Sequence, residues 1–435
     1  MIEQVRNIFR VPELKRRVLF TCALLIVYRI GAHVPTPGID AHALALFFQQ
    51  QAGNLLGFFD LFSGGALRRL SVFALGIMPY ISASIILQLL AVVVPALEKL
   101  QKEGEQGRKK ITQYTRYGTV ALAGIQGLGI AVGLESMQIK GAMVVPHPGW
   151  AFRLMTTITL TAGTIFIMWL GEQISERGVG NGISLLIFAG IIVRLPEAIF
   201  ASWTLITQGE MNPLVFLLLL VLMVAVVAGV IVMTLGQRKI PVQYAKRVVG
   251  RRVYGGQSTH IPLRVNTAGV IPVIFASSII AFPATVTQFI NHPWAQMVSS
   301  WLSFGGLPYT LIYAAGIIFF TYFYTAIIFN PTDVADNMKK YGGYIPGIRP
   351  GSKTAEFIER VLDRITLVGA LYLTGISILP EIMITQMNVP FYFGGTSLLI
   401  VVGVALDTVQ QVESHLLMRH YEGFLKKAKV RGRIS

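Results

Sequence analysis

The chain has 435 residues, 53% of them hydrophobic and only 13% charged, which excludes an ordinary soluble globular protein, where charge makes up about a quarter of the residues. Its formal net charge is +16, and its one cysteine, Cys22, excludes an intrachain disulfide or thiolate cluster. Apolar runs of about 20 residues, the length a helix needs to cross ~30 Å of hydrocarbon, recur along the whole sequence. The short alternating strands of an outer-membrane barrel do not.

In chain order, the runs 18–34, 72–95, 116–135, 151–170, 181–200, 213–235, 269–289, 308–329, 365–384 and 396–418 predict ten membrane-spanning helices. The first does not read as a secretory signal, because Arg29 and Gly31 interrupt it and no small-residue cleavage site follows. Arg6, Arg10, Lys15, Arg16 and Arg17 precede it, and Lys99, Lys102, Arg108, Lys109, Lys110 and Arg116 fill the 96–116 connection. The connections 236–268 and 330–364 and the tail from Arg419 are similarly basic, whereas 35–56, 201–212, 290–307 and 385–395 hold neither Lys nor Arg. By the positive-inside rule this alternation puts both termini in the cytoplasm, in agreement with an even helix count. The basic charge is therefore mostly topological, and direct DNA binding is not needed to explain it.

The second apolar stretch is spoiled in three ways. In "GFFDLFSGGALRRLSVFALGIMPYISASIILQLL", Gly57 to Leu90, Gly64-Gly65 breaks the run, Arg68-Arg69 charges it and Pro79 sits inside its better half. It reads as a segment that folds partway in, stops, and serves as stopper and pore wall.

The second and seventh spans are alike. Gly76-Ile-Met-Pro79 is followed by "YISASII", and Gly269-Val-Ile-Pro272 by "VIFASSII". Each set of five spans is odd in number, so the two sets insert with opposite orientation, the pattern of an inverted repeat. Gly, Pro and Ser are also simply tolerated in membrane helices. A Pro within a helix removes one backbone hydrogen bond, so the two spans are expected to be loosened there, as a pair of hinged gateposts.

Catalytic and ligand motifs are missing. HExxH, GxxxxGK[ST] and clustered His/Cys are absent, so no metal or cofactor is expected. "GVGNG", Gly178 to Gly182, reads as a helix stop and restart. Glu381 and Glu413 fall toward helix ends, leaving Asp407 as the one intramembrane carboxylate, too little for an ion-coupling relay. Ile77 and Ile81 share a helix face by i,i+4 spacing. Met by aliphatic residues from the other half they would form a dewetting constriction, although plain packing accounts for the spacing equally well.

The stretches "FSGGALRRLSVFALGIMPYISASIILQLL", "QKEGEQGRKKITQYTRYGT", "MWLGEQISERGVGNGISLLIFAG", "GRRVYGGQSTHIPLRVNTAGVIPVIFASSII", "FNPTDVADNMKKYGGYIPGIRPG" and "VPFYFGGTSLLIVVGVALD" resemble the SecY family, channel subunits of the bacterial Sec protein translocase. Several are long and polar, so shared hydrophobicity does not explain them, and the likeness runs from the first span to the last. It implies an all-α polytopic membrane protein with ten transmembrane helices in two inverted five-helix halves around a central pore. The N-terminal half is 1–212, the C-terminal half 213–418, and 419–435 a basic cytoplasmic tail.

The resemblance also implies roles for residues. Residues 57–70 match a re-entrant plug helix, with Phe58, Phe59, Leu61, Phe62, Ser63, Gly64, Gly65, Leu67, Arg68 and Arg69. On this reading Gly64-Gly65 lets it swing, and the two arginines stay in the wet outer funnel. Ile77, Ile81, Ile187, Ile274 and Ile400 match a pore ring, and Ser82, Ile86, Gln126, Asn266, Ser278 and Phe282 a lateral gate through which apolar segments leave for lipid. Arg238, Lys239, Lys246, Arg247, Arg251 and Arg252 on the 236–268 loop, with Arg349 and Lys353 on the 330–364 loop, match docking loops for the SecA motor ATPase and the ribosome. Within the first loop "VQYAKRVVGRRVYGG" reads as a small cytosolic hairpin. SecE and SecG subunits, signal sequences, nascent or precursor polypeptides and membrane lipid are the other implied partners, and the bacterial inner membrane the implied location.

Two other classes compete. A secondary transporter is permitted by the inverted repeat but calls for a polar midplane site, and an intramembrane enzyme calls for catalytic groups. The apolar ring and the long docking loops favour a non-enzymatic protein-conducting channel.

Overall fold

The computed structural model describes residues 11–40, 44, 60, 63–136, 138–139, 142–209, 212–244, 247–249, 252–254, 258–288, 293–302, 306–387 and 395–428. Its elements run α1 (Pro12–Gly31), α2 (Met78–Val93), α3 (Pro95–Lys102), α4 (Glu105–Ser136), β1 (Gln138–Ile139), β2 (Ala142–Met143), α5 (Trp150–Arg177), α6 (Gly182–Ile192), α7 (Arg194–Thr207) and α8 (Pro213–Leu235). They continue with β3 (Gln237–Tyr244), β4 (Arg247–Val249), β5 (Arg252–Tyr254), β6 (Ser258–Arg264), α9 (Ile271–Gln288), α10 (Pro293–Trp301), α11 (Leu307–Ile328), α12 (Pro331–Lys340), β7 (Gly343–Tyr344), α13 (Ser352–Met387) and α14 (Gly395–Ala428). Each of the ten expected spans falls on helix. Among the described residues six helices are long and apolar enough to cross a membrane, or seven when α2 and α3 count as one broken span.

Local chemistry sets the breaks. Pro95 has no N–H to donate and forces Val94 into extended backbone, so α3 turns 100° from α2. Gly180, at φ 87°, ends the turn after α5, and the Asn181 side chain then accepts the N–H groups of Ile183 and Ser184 at 3.1 and 3.3 Å, capping α6. The stop and restart expected at 178–182 is therefore present. Asn212-Pro213 and Asn330-Pro331 start α8 and α12 in the same way, with Asn as cap and Pro as first helical residue.

The expected hinges at Pro79 and Pro272 are not found. Gly76 and Gly269 both have positive φ, 58° and 64°, so α2 and α9 each begin two residues later and carry their Pro at the second helical position. The missing N–H there is one that no helix would have used, and neither Pro loosens anything. The Pro inside a helix is Pro283 of α9. The likeness of the two spans is thus real at the backbone, as a shared way of starting a helix.

The helices before residue 212 pack chiefly on one another, α4 against α5 and α2, and α5 against α6. Those after it do the same, α13 against α11 and α14, and α11 against α9. The two sets meet along two seams, α2 and α4 against α9, and α6 against α14. One buried apolar cluster bridges them, and a second lies between α4, α5 and residues 67–75.

The helical bundle carries a small β unit on its polar connections. β3 pairs antiparallel with β6 on one side and with β7 on the other, giving the order β6-β3-β7. Ile240 and Val242, alternate residues of β3, point inward with Leu263, Met338, Ile345 and Ile358. The two basic connections, 236–268 and 330–364, therefore share one hydrophobic core. β4 and β5 pair antiparallel as the expected hairpin.

Candidate functional site

The five isoleucines come from separate parts of the chain. Ile77 ends the turn before α2, Ile81 lies in its first turn, and Ile187, Ile274 and Ile400 come from α6, α9 and α14. All five are buried, none more than 6% exposed, and all belong to the cluster that bridges the two sets of helices, together with Ile191 and Ala66. The five side chains are aliphatic and carry no hydrogen-bonding group.

The described residues of the segment 57–70 pack against this cluster through Ala66. Phe58, Phe59, Leu61 and Phe62 fall outside the described residues. Asp60 is helical, but residues 63–70 run as successive turns and not as the helix expected there. Gly64 and Gly65 cause this: both have positive φ, 65° and 86°, a region costly to side chains with a Cβ. Gly64 also touches α6 so closely that a Cβ would stand 2.9 Å from the Gly190 Cα. The two glycines thus fit the segment to its seat in this structure. Ala66 faces the isoleucine cluster, and Leu67 and Leu70 face the cluster on α4 and α5. Arg69 is exposed and Arg68 partly so.

Hydrogen bonds pin this segment on several sides. Arg29, in the last turn of α1, donates Nη1 to the Gly64 carbonyl at 2.8 Å, and Tyr28 Oη donates to the Ser63 carbonyl at 3.4 Å. A two-residue bridge joins Pro35 and Ser71, through Thr36 N–H to the Leu70 carbonyl and Val72 N–H to the Val34 carbonyl, both 2.9 Å. Asp60 is buried and ion-paired with Arg194 at the start of α7. Sequence reasoning missed Asp60, Arg29 and Arg194. Their signal is an isolated charge in or beside an apolar run, which requires a partner somewhere in the fold.

The residues assigned to the gate lie on α2, α4 and α9 or just ahead of α9. Ser278 is buried on α9 and its Oγ reaches Met78 Sδ of α2 at 3.9 Å. Ser82 and Gln126 are partly buried on α2 and α4, and Ile86 is exposed on α2. Asn266 is buried ahead of α9 with no partner for its side-chain oxygen. The side chain of Phe282 lies outside the described residues. Asp407 is exposed on α14.

The basic loop residues divide likewise. Arg238 and Lys239 are exposed on β3, opposite Leu263 and Pro262 of β6. Arg247 and Arg252 stand opposite Tyr254 and Val249 in the hairpin, while Lys246 and Arg251 lie outside the described residues. Arg349 is exposed on the turn between β7 and α13, where its carbonyl accepts the Thr354 hydroxyl at 2.9 Å. Exposed Lys353 pairs with Glu356 at 2.9 Å.

Residues 71–409 match a family model described as SecY. The chain is 55% identical over 424 residues to the protein translocase subunit SecY of Escherichia coli (strain K12), covering 97% of this chain and 96% of that one. A solved structure concerns the plug domain of the SecY protein, described as stabilising the closed state of the translocation channel and maintaining a membrane seal. It superposes with a TM-score of 0.61 at 18% identity, over 94% of this chain and 96% of that chain. Another, Sec61 in the canine ribosome–channel complex from the endoplasmic reticulum, superposes with a TM-score of 0.60 at 15% identity, over 94% and 96%. At those identities the two structures speak for the fold.

Proposed function

The chain belongs to the SecY family, and from that premise we propose how its residues work as the protein-conducting channel of a Sec translocase. The channel passes unfolded secretory proteins across the membrane and releases transmembrane segments sideways into lipid. Ile77, Ile81, Ile187, Ile274 and Ile400 form the constriction. In the resting state their aliphatic side chains meet against the seated plug, and the two together exclude water, and ions with it. During transport they close around an extended chain of any sequence, because they bind none of it by hydrogen bonds.

Residues 57–70 are the plug above this ring, and the α2–α9 seam is the lateral gate. A signal sequence parts α2 from α9, the plug leaves its seat, and the precursor enters the ring. The division into halves at residue 212 allows this, since the halves then separate along one seam and stay joined along the other. The chain supplies no energy of its own on this reading. SecA, docked on Arg238, Lys239, Lys246, Arg247, Arg251, Arg252, Arg349 and Lys353, drives the precursor by ATP hydrolysis, or a ribosome on the same loops drives it by translation. SecE braces the two halves and SecG accompanies them in the bacterial inner membrane, with both termini cytoplasmic.

The observation that supports this reading is the convergence of five aliphatic side chains from four helices and a turn into one buried cluster that also holds Ala66. A photo-crosslinker replacing Ile81 or Ile274 tests it. With a precursor arrested halfway, both positions should give adducts with the precursor, and exposed Leu154 of α5 should give none. Equal adducts at all three, or none at the two isoleucines, would remove the ring assignment.

A further inference from the structure

The plug segment contains a carboxylate that a simple apolar stopper would not need. The Asp60 side chain is 4% exposed, and a carboxylate so placed persists only when paired and hydrogen-bonded. Its two oxygens serve different masters. Oδ1 accepts the Arg68 backbone N–H at 2.8 Å, while Oδ2 meets the Arg194 guanidinium. The Asp60 carbonyl also accepts the Gly65 N–H at 2.9 Å and the Ser63 hydroxyl at 3.1 Å. One residue thus ties residues 63–68 into a fixed turn and ties that turn to a different part of the molecule.

Arg194 lies where α6 passes into α7, four residues beyond Gly190, which seats Gly64. Its guanidinium also passes 3.6 Å from where a Cβ on Gly65 would be. The helix that contributes Ile187 to the apolar cluster therefore leads directly to the charge that holds the segment above it.

We propose that Asp60 and Arg194 form an ionic latch that fixes the plug in its resting seat, so that the strength of this one pair sets how readily the plug leaves. The inference rests on the plug and ring reading above. When the plug is seated, both charges are largely withdrawn from water and bonded to each other, the setting in which a charge-assisted hydrogen bond is strongest. When it leaves, both are rehydrated in the outer funnel. The pair thus acts only on the seated state and shifts the seated/unseated ratio, as a differential interaction must.

Resting ion conductance of the translocase complex in planar bilayers, scaled to the number of inserted channels, tests the latch. Asp60→Asn keeps an oxygen for the Arg68 N–H, so the turn persists while the charge is lost. Arg194→Gln removes the other charge, and Arg194→Lys keeps it. Asp60→Asn and Arg194→Gln should each raise the unseated fraction, and with it the leak, by about ten- to a hundredfold, the range for loss of a hydrogen bond to a charged group. The double variant should leak no more than the leakier single one, because the two residues act as one pair. Arg194→Lys should leak less than Arg194→Gln. A channel lacking residues 57–70 sets the scale of full unseating. If that channel leaks while both single variants seal like the unmodified protein, the latch is wrong and the plug reading stands. Multiplied leaks in the double variant would also overturn the pairing. If deletion of 57–70 causes no leak, the plug reading itself fails, and the latch with it.

Discussion

An isoleucine side chain withdrawn from water is stabilised by about 1.5–3 kcal/mol, so on the proposed reading five that meet in a pore make a seal worth more than about ten times the thermal energy. The seal needs no fixed partner and re-forms around whatever fills it, which suits a channel indifferent to sequence. Replacing Ile77, Ile81, Ile187, Ile274 and Ile400 together with Gly or Ser should let water enter and raise resting conductance in planar bilayers; an unchanged conductance would mean either that the plug alone seals the pore or that these residues are ordinary packing. Arg349 acts at the same scale by the opposite physics. Its guanidinium is exposed on a turn whose backbone is held by the Thr354 hydroxyl, and on the docking reading it would present its charge to an acidic partner. Arg349→Glu should abolish SecA-driven translocation and leave membrane insertion of the channel intact. Full translocation at ordinary expression would sink the docking role. The isoleucines were legible in the sequence only through family resemblance, since i,i+4 spacing relates Ile77 to Ile81 and says nothing of Ile274 or Ile400. Asp60 and Arg194 were not legible as a pair at all, because 134 residues separate them.

At the scale of elements, α2 and α9 begin alike, with a glycine at positive φ two residues before the helix and a proline at its second position. The shared motif was visible in the sequence, but its meaning was not. Residues 72–77 are as apolar as the helix they precede, so hydropathy cannot tell a turn leading into a helix from the helix itself. The turn is set by Gly76 and by the bridge between Pro35 and Ser71, a pairing across the chain. The β6-β3-β7 sheet was hidden for the same reason, its β7 strand lying about 100 residues from β3 along the chain. What was legible was local: the Asn-capped restart at 181, the hairpin at 247–254, and a helix at every apolar run. The α2–α9 seam carries a prediction of its own. With Cys22 replaced, a cysteine at Met78 or Ser82 paired with one scanned over 278–282 should form a disulfide in the resting channel at one position at least, given Cα atoms within ~7 Å. That staple should block both translocation and lateral release of apolar segments, and reductant should restore both. Translocation at the unstapled rate with the disulfide fully formed would mean that these helices do not part.

For the whole molecule, the parts form a single path. The β unit and the turn bearing Arg349 stand on the polar connections, the isoleucine cluster lies where the two sets of helices meet, and the segment 63–70 rests on that cluster, tied to α1, α6 and α7. Among the described residues one seam carries the Ser278 Oγ contact to Met78 Sδ, and the other Gly180 N–H donating to the Gln411 side chain at 3.0 Å. On the proposed reading the body opens along the first seam and pivots at the second. The central claim is that it conducts unfolded polypeptide, and the direct measurement is transport itself. Proteoliposomes containing this chain with SecE and SecG are given a radiolabelled secretory precursor, with SecA and ATP. Protease added outside should leave the full-length precursor protected inside the vesicles, with no protection when ATP or SecA is withheld or when the α2–α9 staple is oxidised. Precursor that stays fully protease-sensitive with every component present, in vesicles where the chain is inserted and SecA is bound, would contradict the account.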